Sequence, residues 1–225
     1  MRGFQGKVLA IVWKDVISEL HTKEAISSML IFALLAIVIF SFAFQLRGDE
    51  DVELVAPGVL WVAFTFAGIL GLSRSFIKEK DRGCLEGLML CPVDRSAIYL
   101  GKALGNLVFM LLMEAIALPM FAVFFNLAVL IPSLFLVILL GTIGFAAVGT
   151  LFSAISVNTK AREVMLPILF FPIVVPVVIA AVKSTGQVLD GVPFDQSLPW
   201  VNLMLVFDLI FLVVSYLSFE YVVEE

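Results

Sequence analysis

Charged residues are scarce in this chain of 225 residues. Asp, Glu, Lys and Arg together make up 15% of it, whereas a soluble domain normally carries about 25%. Hydrophobic residues make up 62%, and the mean hydropathy is +1.12. This balance excludes the soluble globular class. The net charge of −5 says nothing about nucleic acid in such a protein, and no nucleic-acid partner is expected, because no basic run interleaved with aromatic residues lies outside residues 74–102.

Metal-ligating residues are also few, with two cysteines and one histidine. Cys84 and Cys91 cannot complete a zinc site with the distant His21. A haem-carrying electron-transfer protein needs paired axial ligands inside the bundle, usually histidines. A single histidine cannot form such a pair, so this class of protein is excluded as well. The chain is therefore expected to hold no metal and no cofactor by itself.

A phosphate-binding loop is absent as well. The pattern Gly-x4-Gly-Lys-Ser/Thr does not occur, because Gly101-Lys102 is followed by Ala103 and lacks the upstream glycine. The chain is thus not expected to be an enzyme, and energy from ATP would have to reach it through another protein.

Long apolar runs are what the sequence does contain. A helix needs about 20 mainly apolar residues to cross the hydrocarbon layer, and lipid offers no partner to an open strand edge. The sequence therefore predicts an all-α membrane protein that forms a single domain over residues 1–225. The six predicted spans are Ala25–Leu46, Val55–Ser73, Ala103–Phe125, Leu130–Val157, Val164–Val182 and Trp200–Phe219.

Basic residues give the predicted bundle an orientation. Of the 14 lysines and arginines, all but Arg47 and Lys183 precede the first span or lie between spans two and three or four and five. Loops rich in Lys and Arg stay in the cytoplasm. Both termini and the loop 74–102 are therefore predicted to be cytoplasmic.

Residues 1–24 carry the pattern of an amphipathic helix that precedes the first span. Its predicted apolar face holds Phe4, Val8, Leu9, Val12, Trp13, Val16, Ile17 and Leu20. Its predicted polar face includes Lys7, Lys14, Asp15, Ser18 and Glu19, and Ile11 breaks the pattern. Such a helix is expected to lie in the headgroup layer of the bilayer with its polar face in water.

The loop 74–102 predicts a short surface helix over Gly83–Leu90, since Pro92 would end it. Leu85, Leu88 and Met89 would be presented together, and Arg82 could pair with Glu86 on the water side. This helix is either an amphipathic connector or a docking element for a cytoplasmic partner, which would cover its apolar residues.

Polar residues within the predicted spans have two interpretations. Glu114 and Asp208 could each be a functional group, or each could be a neutral group that hydrogen-bonds to another helix and holds the two helices together. Pro167, Pro172 and Pro176 indicate either a hinge or a re-entrant hairpin that turns before Lys183. The segment Lys183–Pro199 would then form a substantial outer surface. Thr142, Ala146, Thr150 and Ala154 form a stripe of small residues along the fourth predicted span. This stripe is expected to pack against another helix of the same chain rather than against a second copy.

Several short motifs carry a family resemblance. They are Ala56-Pro57-Gly58-Val59-Leu60-Trp61, Arg74-Ser75-Phe76 with Glu79, the run from Gly83 to Pro92, Gly101-Lys102, and the tail from Asp208 to Glu225. Together they resemble the haem-exporter permease of the cytochrome c maturation ABC transporter, within the ABC-2-like permeases. The Gly-x-Leu-Glu-x-Leu-x-Leu-x-Pro part is shared more widely, and the element with Pro57, Gly58 and Trp61 narrows the match.

The resemblance implies a multi-pass protein of the cytoplasmic (inner) membrane of a prokaryote, with partners. They would be a cytoplasmic ABC ATPase that binds ATP, a second copy of the chain, other membrane components of cytochrome c maturation and a haem chaperone. Haem would be cargo or would be bound by a partner. The predicted coupling helix would consist of Arg82, Gly83, Leu85, Glu86, Leu88, Met89 and Pro92, with Arg74 and Glu79 beside it. Two alternatives are an ABC-2-type exporter of another substrate and a proton-driven secondary transporter that uses Glu114 and Asp208.

Overall fold

Helices make up the regular structure of this protein. The computed structural model describes residues 3–45, 49–81, 87, 93–157, 159 and 162–224, and this part of the chain contains no strand. The helices are α1 Phe4–Thr22, α2 Glu24–Gln45, α3 Asp49–Asp81, α4 Arg95–Phe125, α5 Pro132–Val157, α6 Arg162–Leu189 and α7 Phe194–Glu224.

Six of these helices, α2 to α7, are long and apolar enough to cross a membrane. The predicted all-α fold with six spans and a preceding helix is therefore confirmed. Several helices extend beyond the predicted spans: α4 begins at Arg95 instead of Ala103, and α6 ends at Leu189 instead of Val182. With 31 residues, α4 is about 46 Å long, which exceeds the hydrocarbon thickness of about 30 Å.

Helix α5 is the centre of the bundle. It packs against α3, α4, α6 and α7, and 78% of its most apolar window is buried, compared with 28% for α2 and for α7. Small residues permit this close packing. Gly141 of α5 lies under the Trp61 ring of α3, and Gly149 lies under the Leu72 side chain.

Helix α6 is continuous through its three prolines. Of the two alternatives, the re-entrant hairpin before Lys183 is wrong, because the helix runs on to Leu189. The segment Lys183–Pro199 is mostly helical, since only residues 190–193 separate α6 from α7, and its place outside the membrane stays a prediction. Gly191, with φ +70°, supplies the left-handed conformation that this tight connection needs.

Helix α1 packs along the first turns of α4. Asp15 and Glu19 of its predicted polar face are turned toward the protein, and Ile11, which breaks the predicted pattern, is buried. The expectation that the polar face lies in water is thus wrong for Asp15 and Glu19, since both side chains bind other helices. Leu9, Trp13 and Leu20 remain exposed.

A buried cluster apart from the main core, here called the junction cluster, joins five helices where α3 ends and α4 begins. Its members are Ile11, Phe76, Ile98, Tyr99, Ala103, Leu151, Ala154, Val157 and Phe219. The Phe219 ring of α7 lies 5.5 Å from that of Tyr99 and 6.3 Å from that of Phe76, measured between centroids. The cluster therefore connects both ends of the loop 82–94 to the centre of the bundle.

Candidate coupling junction and intramembrane polar residues

The predicted coupling helix lies outside the described residues, apart from the backbone of Gly87. Its role remains a prediction for Arg82, Gly83, Leu85, Glu86, Leu88, Met89 and Pro92, and Cys84 and Cys91 lie outside the described part as well. The structure does describe the two helices that this loop connects, up to Asp81 in α3 and from Arg95 in α4.

A buried ion pair joins α1 to α4 beside this loop. The Lys102 Nζ atom lies 2.9 Å from Asp15 Oδ2 and 5.5 Å from the centroid of the Phe76 ring. The Lys102 side chain is 3% exposed and that of Asp15 is 12% exposed. Truncating one partner of a buried ion pair is generally destabilising, and the exposed Lys14 Nζ lies 3.2 Å from the other carboxyl oxygen of Asp15. We call Asp15, Lys102 and Phe76 the α1–α4 clasp.

Two glycines on α4 bring α1 close enough for this contact. A Cβ atom at Gly101 would lie 2.7 Å from Ile11 Cβ, so any larger residue would push α1 away. One turn further on, a Cβ atom at Gly105 would lie 3.6 Å from Asp15 Oδ2. The spacing of four residues repeats on both helices, because residues i and i+4 share a helix face.

Helix α1 is also fixed to α2. The Glu19 Oε1 atom accepts hydrogen bonds from the backbone N–H groups of Ala25 at 2.7 Å and Ile26 at 3.1 Å. These are among the donors that have no partner within the first turn of a helix, and a carboxylate there also interacts favourably with the helix dipole. Lys23, in the left-handed conformation at φ 55°, forms the break between the two helices.

The residues of the family motif lie in two different places. Pro57 and Trp61 are buried within α3, and Trp61 Nε1 donates a hydrogen bond of 2.9 Å to Thr185 Oγ1 of α6. Pro57 lies inside α3, because this helix begins at Asp49, six residues before the predicted span Val55–Ser73. Arg74 is exposed near the other end of α3, and Glu79 lies in its last turns. The motif therefore does not form one site in the described structure.

Glu114 is tied to the central helix. The Thr142 hydroxyl of α5 lies 2.8 Å and 3.0 Å from the two carboxyl oxygens of Glu114, and it also lies 2.8 Å from the carbonyl oxygen of Ile138. Two turns along both helices, Asn106 Nδ2 donates to Thr150 Oγ1 at 2.9 Å. The predicted intrachain packing of the small-residue stripe is thus confirmed for Thr142 and Thr150.

Asp208 lies on another side of α5. It is 5% exposed, and neither of its carboxyl oxygens has a hydrogen-bond partner in the described part of the chain. Its side chain packs on Gly144, where a Cβ atom would collide with Oδ1. Thr142 and Gly144 are two residues apart, so Glu114 and Asp208 contact α5 at nearly the same depth. No hydrogen bond between Glu114 and Asp208 is found among the described residues.

The three prolines of α6 do not form a common contact with the rest of the bundle. Pro172 and Pro176 are exposed and Pro167 is half-buried, while the face that packs on the bundle is built from Leu166, Phe170, Val174 and Val177. The role of the three prolines as a hinge stays a prediction.

Sequence reasoning does not find the clasp. It places Asp15 on a water-facing surface and Lys102 in a loop, and it does not single out Gly105 or Asn106. One signal is available: Gly101 and Gly105 form a small-xxx-small pattern, which permits close helix packing. The ion pair itself joins residues far apart in the sequence, and no local pattern reveals such a partner.

Comparison with known proteins finds one family model and several relatives that cover most of the chain. The family model described as CcmB protein matches residues 6–224. Heme exporter protein B of Pseudomonas aeruginosa is 30% identical over 179 residues, which cover 78% of this chain and 79% of the relative. The protein of the same name from Rhodobacter capsulatus is 29% identical over 172 residues, covering 75% and 78%. That from Haemophilus influenzae is 28% identical over 199 residues, covering 88% and 90%. The chain belongs to the CcmB protein family.

Proposed function

We propose that this chain is the membrane component of an ABC transporter that serves cytochrome c biogenesis, with haem as the cargo or on a partner protein. The observation that carries this proposal is the family match over residues 6–224, together with relatives named Heme exporter protein B that cover most of the chain. Six candidate spans fit such a membrane component.

A separate cytoplasmic ATPase would supply the energy, because the chain has no phosphate-binding loop of its own. The ATPase would contact the loop 82–94 at the predicted coupling helix, where Leu85, Leu88 and Met89 would be buried. Closure of the ATPase dimer would push this loop against the ends of α3 and α4. The junction cluster supports this route, since its buried side chains connect both helices to α5 and α7.

We infer that a partner supplies the ligands of haem, because the chain has a single histidine. His21, its single histidine, is exposed, and its ring Nδ1 lies 2.8 Å from the carbonyl oxygen of Ile17. Haem ligation needs a suitable axial side chain. A partner protein or a haem chaperone would therefore carry the ligands, and this chain would contribute movement, either for haem export or for the release of a haem-loaded chaperone.

The experiment is co-purification from membranes combined with a cytochrome c assay. Leu85→Glu would place a charge in the proposed interface, and Glu86→Ala would remove its polar contact. We expect Leu85→Glu to lower recovery of the ATPase at least tenfold and to lower the cytochrome c yield in parallel. Truncating an interface anchor costs about 1–4 kcal/mol. Lys183→Gln, which removes an exposed charge in α6, is the comparison variant.

Unchanged ATPase recovery and unchanged cytochrome c yield in both variants would contradict the coupling role of the loop.

A further comparison separates this function from a proton-driven transporter. Asp208→Asn keeps the shape of the side chain but removes the carboxyl. A proton-driven mechanism would lose activity in this variant and would not need ATP. The ABC mechanism predicts loss of activity when the ATPase partner cannot hydrolyse ATP.

A further inference from the structure

We propose that α1 is a moving part of the transporter rather than a membrane anchor alone: the α1–α4 clasp makes α1 travel with the start of α4, and α1 passes this movement to α2. This inference rests on the proposed function, because it assumes that the loop 82–94 is pushed by a partner. It assigns Asp15 and Lys102 as positioning residues of the coupling step.

The clasp lies where such a push would arrive. Helix α4 begins at Arg95, and Lys102 follows about 10 Å further along the helix. Phe76, whose ring contacts the same ammonium, lies in α3 shortly before the loop begins. Both ends of the loop therefore converge on Lys102, and Asp15 is the group through which α1 takes part.

The contact resists sliding because it is both charged and close-packed. The ion pair is buried, so separating its partners would break a charged contact that solvent and salt screen little. Ile11 and Asp15 sit against Gly101 and Gly105, so the backbones of α1 and α4 approach closely here. Near the start of α1, Lys7 Nζ lies 3.6 Å from Asp94 Oδ2, a second and more exposed link to α4.

The far end of α1 connects to a different helix. Glu19 accepts hydrogen bonds from the first turn of α2, so α1 bridges the beginnings of α4 and α2. Attachment to lipid needs no such arrangement. The exposed Leu9, Trp13 and Leu20 already give α1 an apolar face for a bilayer surface, and this face is independent of Asp15.

The first test uses charge variants in the assembled complex with its ATPase. We expect Lys102→Gln and Asp15→Asn each to retain ATPase association and ATP hydrolysis while lowering the cytochrome c yield at least fivefold. The exchanged pair Asp15→Lys with Lys102→Asp should recover at least half of the wild-type yield. Lys14→Gln is the matched control: Lys14 Nζ lies 3.2 Å from the same Asp15 carboxylate but is exposed, and a surface pair contributes little.

Wild-type yield in both single variants would overturn the proposal. Loss of ATPase association in Leu85→Glu with normal yield would instead count against the proposed function. If the single variants fail to assemble, a distance measurement in a protein with an unaltered clasp tests the proposal instead. Spin labels at Leu9→Cys and Leu104→Cys, both exposed, report on α1 and α4, and labels at Leu9→Cys and Ile168→Cys report on α1 and α6. Cys84→Ser and Cys91→Ser provide the background.

We expect the α1–α4 distance to stay constant between the ATP-free and the vanadate-trapped complex, while the α1–α6 distance changes by several ångströms. A change in the α1–α4 distance would overturn the clasp as a rigid link. Constancy of both distances would contradict the movement on which both proposals depend.

Discussion

Single polar side chains connect neighbouring helices at a few buried points. Besides the clasp, Ser153 Oγ donates to the carbonyl oxygen of Leu72 at 2.7 Å, joining α5 to α3. Ser41 Oγ donates to the carbonyl oxygen of Phe124 at 3.0 Å, joining α2 to α4. Apolar packing in lipid carries little directional preference, so such contacts fix which helix faces meet.

Thr142→Val tests the contact between α4 and α5. The substitution keeps the shape of the side chain but removes the hydroxyl that lies 2.8 Å from Glu114. We expect it to lower the free energy of unfolding in detergent micelles by about 1–3 kcal/mol, because the Glu114 carboxyl loses this partner. Thr142→Ser keeps the hydroxyl and should cost only about 0.8 kcal/mol for the lost methyl group. Equal losses in both variants would contradict a role for the hydroxyl.

Gly141→Ala tests the close approach of α3 and α5. An added Cβ atom would overlap the Trp61 ring, and overpacking of a buried site costs about 1–3 kcal/mol. Gly58→Ala is the matched control, since a Cβ atom at Gly58 meets nothing within 4 Å. We expect thermal unfolding of the purified protein to occur at a lower temperature for Gly141→Ala and at an unchanged or higher temperature for Gly58→Ala. A stable Gly141→Ala variant would mean that α3 and α5 are not in close contact.

The sequence reveals Glu114 and Asp208 because a charge within an apolar run is visible without a structure. It does not reveal their surroundings, which differ: Glu114 meets Thr142, and Asp208 meets the bare backbone of Gly144. Partners from distant parts of the chain depend on how helices rotate against one another, and single-residue patterns do not carry that information.

At the level of helices, α6 combines continuity with an interrupted hydrogen-bond ladder. Each of its three prolines lacks the N–H group that would reach back one turn, yet the helix spans Arg162–Leu189. Its buried face contacts α3, α5 and α7, while Pro172 and Pro176 are exposed. A helix built in this way can bend on its outer side without losing its packing face.

Pro172→Ala tests whether this flexibility is used. Alanine would restore a backbone hydrogen bond to Ile168 and is far more favourable within a helix than proline. We expect higher thermal stability together with a cytochrome c yield lowered at least threefold, because a stiffer α6 opposes rearrangement. Pro119→Ala removes an exposed proline inside α4 and serves as the comparison, with stability raised and yield unchanged. Wild-type yield in Pro172→Ala would contradict the hinge.

Helix α1 shows how far an amphipathic pattern can be interpreted. The apolar period predicts the helix, which spans Phe4–Thr22. The assignment of its polar residues to water is wrong for Asp15 and Glu19, because each has a partner on another helix: Lys102 for Asp15 and the first N–H groups of α2 for Glu19. A polar face can meet either water or a polar part of the protein, and periodicity does not distinguish them.

For the whole molecule, hydropathy alone is sufficient to predict the number and order of the spans, since each exceeds the length that a bilayer requires. It is not sufficient to identify α5 as the central helix, which follows from its glycine contacts with Trp61, Leu72 and Asp208. Nor can it describe the junction cluster, whose members come from five helices.

The central claim is that the loop 82–94 faces the compartment that holds ATP, where a soluble ATPase can push it toward the junction cluster. The two natural cysteines, Cys84 and Cys91, both lie in this loop. The most direct measurement is their labelling by a membrane-impermeant thiol reagent in intact cells and after permeabilisation. A Cys84→Ser and Cys91→Ser variant with Asp190→Cys marks the opposite side, in the exposed connection after α6. The account predicts that Cys84 and Cys91 react only after permeabilisation and that the residue introduced at position 190 reacts in intact cells. The reverse pattern would contradict it.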